Sequence, residues 1–162
     1  MPLDARSALD AKVISVHGRG FLAVGGLNAA IAIALGAAGT HALKDLLAST
    51  DPAGWFALAQ QYHQYHALGL ILVGFAAERF PASRWFSWAG WLMLAGIFLF
   101  SGSLYLRSLF GIHAVHALIP FGGLSFIVAW LLFAVGVLRR SPHVVHPTEM
   151  SGEKVDQRAH LR

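Results

Sequence analysis

The residues with the most chemistry to offer are His63 and His66, set among glutamines and tyrosines in the segment QQYHQYHALGLILVGF, residues 60–75. On a helix, positions three and four apart share a face, so His63 meets His66 and Tyr62 meets His66. Imidazoles are common metal ligands and also hold haem iron. A pocket lined by His, Tyr and Ser would equally supply the donor that a buried quinone carbonyl needs. The same topology carries the ends of neighbouring apolar runs toward one leaflet. His41, His63, His66, Ser101, Ser103, Tyr105 and His116 therefore form the candidate polar layer, with His113 beside it.

Three chemistries fit such a layer: interhelical hydrogen bonds, a bound haem, metal or quinone, or a hydrophilic path for a substrate. Interhelical hydrogen bonds in lipid average only ~0.6 kcal/mol each. Asn28, in the first apolar run, has the same reading of one interhelical bond. No carboxylate accompanies the histidines; the nearest, Asp45 and Asp51, fall between apolar runs. That weakens a proton relay and a hydrolytic site, and no catalytic residue is assigned. There is no glycine-rich phosphate loop after a strand, no serine with its base, and no basic-aromatic surface for nucleic acid. The absence of cysteine excludes disulfides and thiolate metal sites.

The elements that must position these residues are apolar runs at 20–43, 55–77, 85–106 and 112 or 120–138. Each supplies the ~20 residues that cross a hydrocarbon core. The 162 residues are 56% hydrophobic and 12% charged, against ~25% charged in ordinary soluble domains. The net charge of +4 is scattered at the edges of the runs, where it reads as a topology signal rather than a nucleic-acid surface. The expected fold is all-α, an integral membrane four-helix bundle with short antiparallel connections. Residues 1–19 form a cytoplasmic or interfacial segment, 20–140 the four-span domain, and 141–162 a disordered cytoplasmic tail.

Helices in lipid associate through close packing and hydrogen bonds, so small residues mark the seams. Gly26, Ala30, Ala34 and Ala38 recur every fourth residue, and Gly96, Gly102, Gly122 and Gly123 are the expected contacts of the later runs. Thr50, Asp51 and Pro52 look like a cap followed by proline at the start of the second span. Pro120 either begins the fourth span or bends it by removing the bond to the His116 carbonyl; the first reading is preferred.

GAAGTHAL (36–43), YHQYHAL (62–68), FSGSLY (100–105) and PFGG (120–123) with Trp130 behind it occur in an order and spacing that resembles the domain-of-unknown-function 423 family. These are small bacterial inner-membrane proteins of the YgdD type, related to transmembrane protein 256 of animals. The resemblance covers about residues 20–138. The family pattern falls on Gly36, Gly39, His41, Tyr62, His66, Ser101, Gly102, Ser103, Tyr105, Pro120, Gly122, Gly123 and Trp130. Ala38, Thr40, His63 and Ile119 depart from it, His63 standing where glutamine is usual. His66 is accordingly expected to matter more than His63. The resemblance implies a plasma-membrane location and no established biochemistry. The expected role is an accessory or scaffold subunit of a larger membrane complex, in contact with lipid and with other subunits or a second copy. The alternatives are a His-based haem, metal or quinone protein using His41, His63, His66 and His116, and a small oligomeric transporter or channel.

Ten Lys and Arg fall on the side of both termini and two, Lys44 and Arg107, on the other, so the termini are expected in the cytoplasm. Reporter fusions at the C-terminus and in the 49–54 loop should report opposite compartments; the same compartment for both would remove the four-span topology.

Overall fold

The structure, a computed structural model, describes residues 3–139, with side chains from residue 18 onward. The expected tail at 141–162 lies outside the described residues. Every element among them is helical: α1 (Leu3–Thr40), α2 (Lys44–Thr50), α3 (Trp55–Arg79), α4 (Arg84–Gly96), a π-helical segment (Ile97–Gly102), α5 (Ser103–Phe110), a 3-10 segment (His113–Leu118) and α6 (Ile119–Leu138). The backbone of α1 runs through residue 19 without a break, so the boundary expected there is not one of secondary structure.

Three stretches are long and apolar enough to cross a membrane: Gly18–Thr40, Arg84–Phe110 and His113–Leu138. The 25-residue α3 is long enough, at about 37 Å, but its polar segment lowers its mean hydropathy. It is nevertheless central. α1 packs along α3, α4 packs along α6, and α3 contacts α4, the π segment and α5. Phe21, Leu70, Val73, Phe86, Met93 and Phe126 fill the core between them.

The α1–α3 seam is not the small-residue ridge expected from the sequence. Gly26, Ala30 and Ala34 are exposed, and a methyl group added at Gly26 would meet nothing within 4 Å. Gly25, Ala32, Gly36 and Gly39 face α3 instead, Gly25 against Ile71 and the Ala67 carbonyl, Gly39 against the Phe56 ring. In a helix that is apolar all round, composition leaves the buried face unmarked. Among the later glycines, Gly96 lies under the Phe126 ring and Gly122 against the backbone of Leu99 and Phe100. A methyl group added at Gly102 or Gly123 would meet its nearest neighbour at 3.8 Å, an ordinary contact distance.

The cap of the second long helix also differs from expectation. Thr50 ends α2 with its hydroxyl on the Leu46 carbonyl, and Gly54, at φ +73°, occupies the residue before α3. A positive φ suits glycine, and the reversed turn brings Asp51 back over the helix start. Its carboxylate accepts from the Trp55 and Phe56 N–H groups at 3.0 and 2.7 Å, so Asp51 caps from outside the usual position.

Pro120 stands in the first turn of α6, as preferred from the sequence. The His116 carbonyl, which would lack its partner, accepts from the Ile119 N–H in the tighter 3-10 turn. The π segment has a packing cause as well. Ala89, Met93, Ile97 and Ser101 are all buried at steps of four. Each such step overshoots a 3.6-residue turn by about 40°. A wider π turn absorbs the overshoot and keeps the stripe on its seam.

Gly122→Ala should lower stability by about 1–3 kcal/mol, because the new methyl meets backbone. Gly26→Ala should leave it within about 0.5 kcal/mol. Thermal unfolding in detergent micelles compares the two, and equal effects would mean that α6 does not approach Phe100 as closely as described.

Candidate functional site: a hydrogen-bond chain across three helices

His63 and His66 are both buried, each 5% exposed, on the inward face of α3. One turn apart on the same helix, they bond in different directions. Asn28 on α1 places its amide Nδ2 on the Val24 carbonyl of its own helix at 2.8 Å, which leaves Oδ1 as the group facing His63 Nε2 at 3.0 Å. Because Oδ1 can only accept, His63 carries its proton on Nε2. Its Nδ1 is then an acceptor, and Tyr105 on α5 donates its hydroxyl to it at 3.5 Å, the longest link. The result is one directed chain, Tyr105 O–H to His63, His63 N–H to Asn28, Asn28 N–H to the Val24 carbonyl. It joins α5, α3 and α1.

His66 has the other tautomer. Its Nδ1 lies 2.7 Å from the Tyr62 carbonyl, which accepts only, so the proton is on Nδ1. The ring stacks on Phe126 of α6, centroids 3.4 Å apart and planes at 14°. Of the pair, His63 makes both hydrogen bonds to other helices, and His66 contributes a stacking surface.

The remaining candidates divide. Ser101 and Ser103 are buried, and the Ser101 hydroxyl, like those of Ser108 and the carbonyl oxygen of Gln64, has no partner among the described residues. His41 and His116 are exposed at helix ends and do not join the chain, because α1 ends at Thr40 and the 3-10 segment turns His116 outward. Among the described residues no three His, Asp or Glu side chains gather as a metal-binding group. Two cavities of about 270 and 220 Å3 near the α2–α3 turn share Asp51 and are lined by neither His63 nor His66.

Other polar contacts lie outside the sequence-based site. Ser125 of α6 donates to the Leu92 carbonyl of α4 at 2.7 Å, and Gln60 reaches the Ala32 carbonyl of α1 at 3.4 Å. A lone serine between apolar residues was the available signal for the first. Phe126, the platform for His66, carries no sequence mark that separates it from the other phenylalanines.

A family model described as "Protein of unknown function (DUF423)" matches residues 35–123, which include His63, His66 and Tyr105 but not Asn28. The chain is 41% identical over 119 residues to the UPF0382 membrane protein YwdK of Bacillus subtilis, covering 74% of this chain and 96% of that one. A UPF0382 membrane protein of Staphylococcus epidermidis is 39% identical over the same length, 74% and 95% covered. The UPF0382 inner membrane protein YgdD of Escherichia coli is 34% identical, 74% and 87% covered. No solved structure matches the chain.

Replacing His63 and Asn28 by leucine, singly and together, should reveal a coupling of about 0.6–1.7 kcal/mol in a double-mutant cycle run in micelles. His63→Gln should recover part of the loss, since an amide offers both a donor and an acceptor. Strict additivity of the two leucine changes would remove the bond.

Proposed function

The chain belongs to the DUF423 family, and we propose that it is a four-span protein of the bacterial inner membrane, without catalytic activity of its own, serving as an accessory or scaffold subunit for other membrane proteins. Relatives named as membrane proteins and three apolar stretches of spanning length support the location. The fourth span in this reading is α3. Its histidines at 63 and 66 face inward, and Leu68, Leu72 and Phe75 are exposed over its second half, below the exposed Gln61, Tyr62 and Tyr65. The distribution of Lys and Arg supports cytoplasmic termini.

The observation that carries the accessory role is the open side of α1. Within its most apolar window only 17% of the residues are buried, against 44% for Arg84–Phe110. α1 packs chiefly on α3, and its far side shows Gly26, Ala30 and Ala34 with Leu27, Ile31 and Ile33 around them. Small residues permit close backbone approach by another helix, which is how helices associate where lipid already satisfies apolar surface. The chain from Tyr105 to Val24 meanwhile occupies both ring nitrogens of His63 with protein partners.

Purification of the tagged protein in mild detergent should recover another membrane protein or a second copy. Gly26→Leu and Ala30→Leu should remove it while leaving the thermal midpoint nearly unchanged. Association that survives both substitutions would sink the α1 surface, and a stoichiometric haem, metal or quinone in the preparation would replace the accessory role with a cofactor-binding one.

A further inference from the structure

At the end of the molecule opposite α2, a cavity of about 840 Å3 opens where the turn from α3 to α4 meets the last turn of α6. Three arginines line it, Arg79, Arg84 and Arg139, and among the described residues no Asp or Glu does. The adjacent acid, Glu78, lies instead against Gly18 of α1. Two of the guanidinium groups are held on aromatic faces, Arg79 over Phe80 and Arg139 over Trp85, each 4.9 Å from the ring centre. Stacking fixes a guanidinium plane and leaves its edge donors free, the geometry that suits bidentate bonding to a phosphate.

The other end of the molecule provides a control. Arg107 also stacks on an aromatic ring, that of Trp55 at 5.4 Å, but its cavity is about 220 Å3 and includes Asp51. One end therefore balances its charge, and the other concentrates three positive groups that repel one another until an anion enters.

We propose that the arginine cavity binds the phosphate of an anionic phospholipid headgroup. The shared chemistry is a phosphate ester, and three features favour the lipid over a free ion. The volume exceeds what a lone phosphate occupies. The walls include the apolar Pro81 and Ala82, which suit a glycerol backbone and the first acyl methylenes. The cavity also sits at the arginine-rich ends of α3, α4 and α6, the end that the charge distribution assigns to the cytoplasm, where anionic lipids attract basic groups. Binding in micelles depends neither on that orientation nor on any protein partner, so it is independent of the accessory role.

The test uses the full chain purified in a mild neutral detergent, with bound lipid counted by native mass spectrometry. Phosphatidylglycerol should be retained in clear preference to phosphatidylcholine with the same acyl chains. Arg79→Gln, Arg84→Gln and Arg139→Gln should each weaken it roughly fivefold. Arg107→Gln should leave it unchanged. Arg84→Lys and Arg139→Lys, which preserve the charge that governs insertion but lose the bidentate fork, should weaken it against wild type while Arg107→Lys does not, and that comparison decides the matter if the glutamine variants fail to fold. Equal retention of the two lipids, a preference that survives the arginine changes, or an equal effect of Arg107→Gln would overturn the site. Displacement of phosphatidylglycerol by an equal concentration of inorganic phosphate would overturn the lipid assignment and leave a phosphate site.

Discussion

Inside hydrocarbon a polar group without a partner costs several kcal/mol, so two buried imidazoles on one helix constrain every helix around them. Here α1 must bring Asn28 to His63, and α5 must bring Tyr105 to its other nitrogen. Each link also determines the next, because the Asn28 amide can accept from His63 only while its own N–H groups point to Val24. The close approach this requires is met by glycine: Gly25, Gly36 and Gly39 let α1 lie on α3, and Gly122 lets α6 lie on the π segment that leads into α5. Polar chain and glycine contacts thus specify the same arrangement from two sides. Neither suffices alone, since hydrogen bonds in lipid are individually weak and packing without them would accept other rotations of an apolar helix.

Much of this was legible in the residues, and each failure has a physical origin. The dense polar segment at 60–66, the interhelical reading of Asn28 and the position of Pro120 at a helix start were all accessible from type and spacing. What spacing could not supply was rotation. Gly25 and Gly26 are adjacent, and only one is buried; an amphipathic helix would have marked the difference, but α1 has apolar residues on every side. His41 and His116 miss the polar layer for another reason, because α1 ends before His41 and the 3-10 segment turns His116 outward. Asp51 was legible as a cap but not its geometry, because the left-handed turn at Gly54 moves the carboxylate three residues upstream of its usual place.

Hydropathy along a window sums residues without regard to the side they face, so the buried His63 and His66 lower the value for α3 as much as exposed residues would. A helix surrounded by others can carry histidine and asparagine partners inward and present leucine and phenylalanine outward. Peripheral α1 has the reverse character: high mean hydropathy and little burial. Of the three apolar stretches the one with the lowest hydropathy, Arg84–Phe110, is the most buried, as expected when the solvent is lipid rather than water.

The π segment makes chain length itself a structural variable. Residues 97–102 hold more residues per turn than the helices on either side, so the phase between α4 and α5 depends on how many residues intervene. Deleting one residue inside the segment would let it relax to an ordinary α-helix with the phase nearly kept, because the π turn already holds one residue more than an α turn. Deleting one from α4 instead would rotate the rest of the span by about 100°, carrying Leu104 and Ser108 out of the interior and Tyr105 away from His63. Exchange of a side chain there alters one contact, whereas a change in residue count re-indexes half a span.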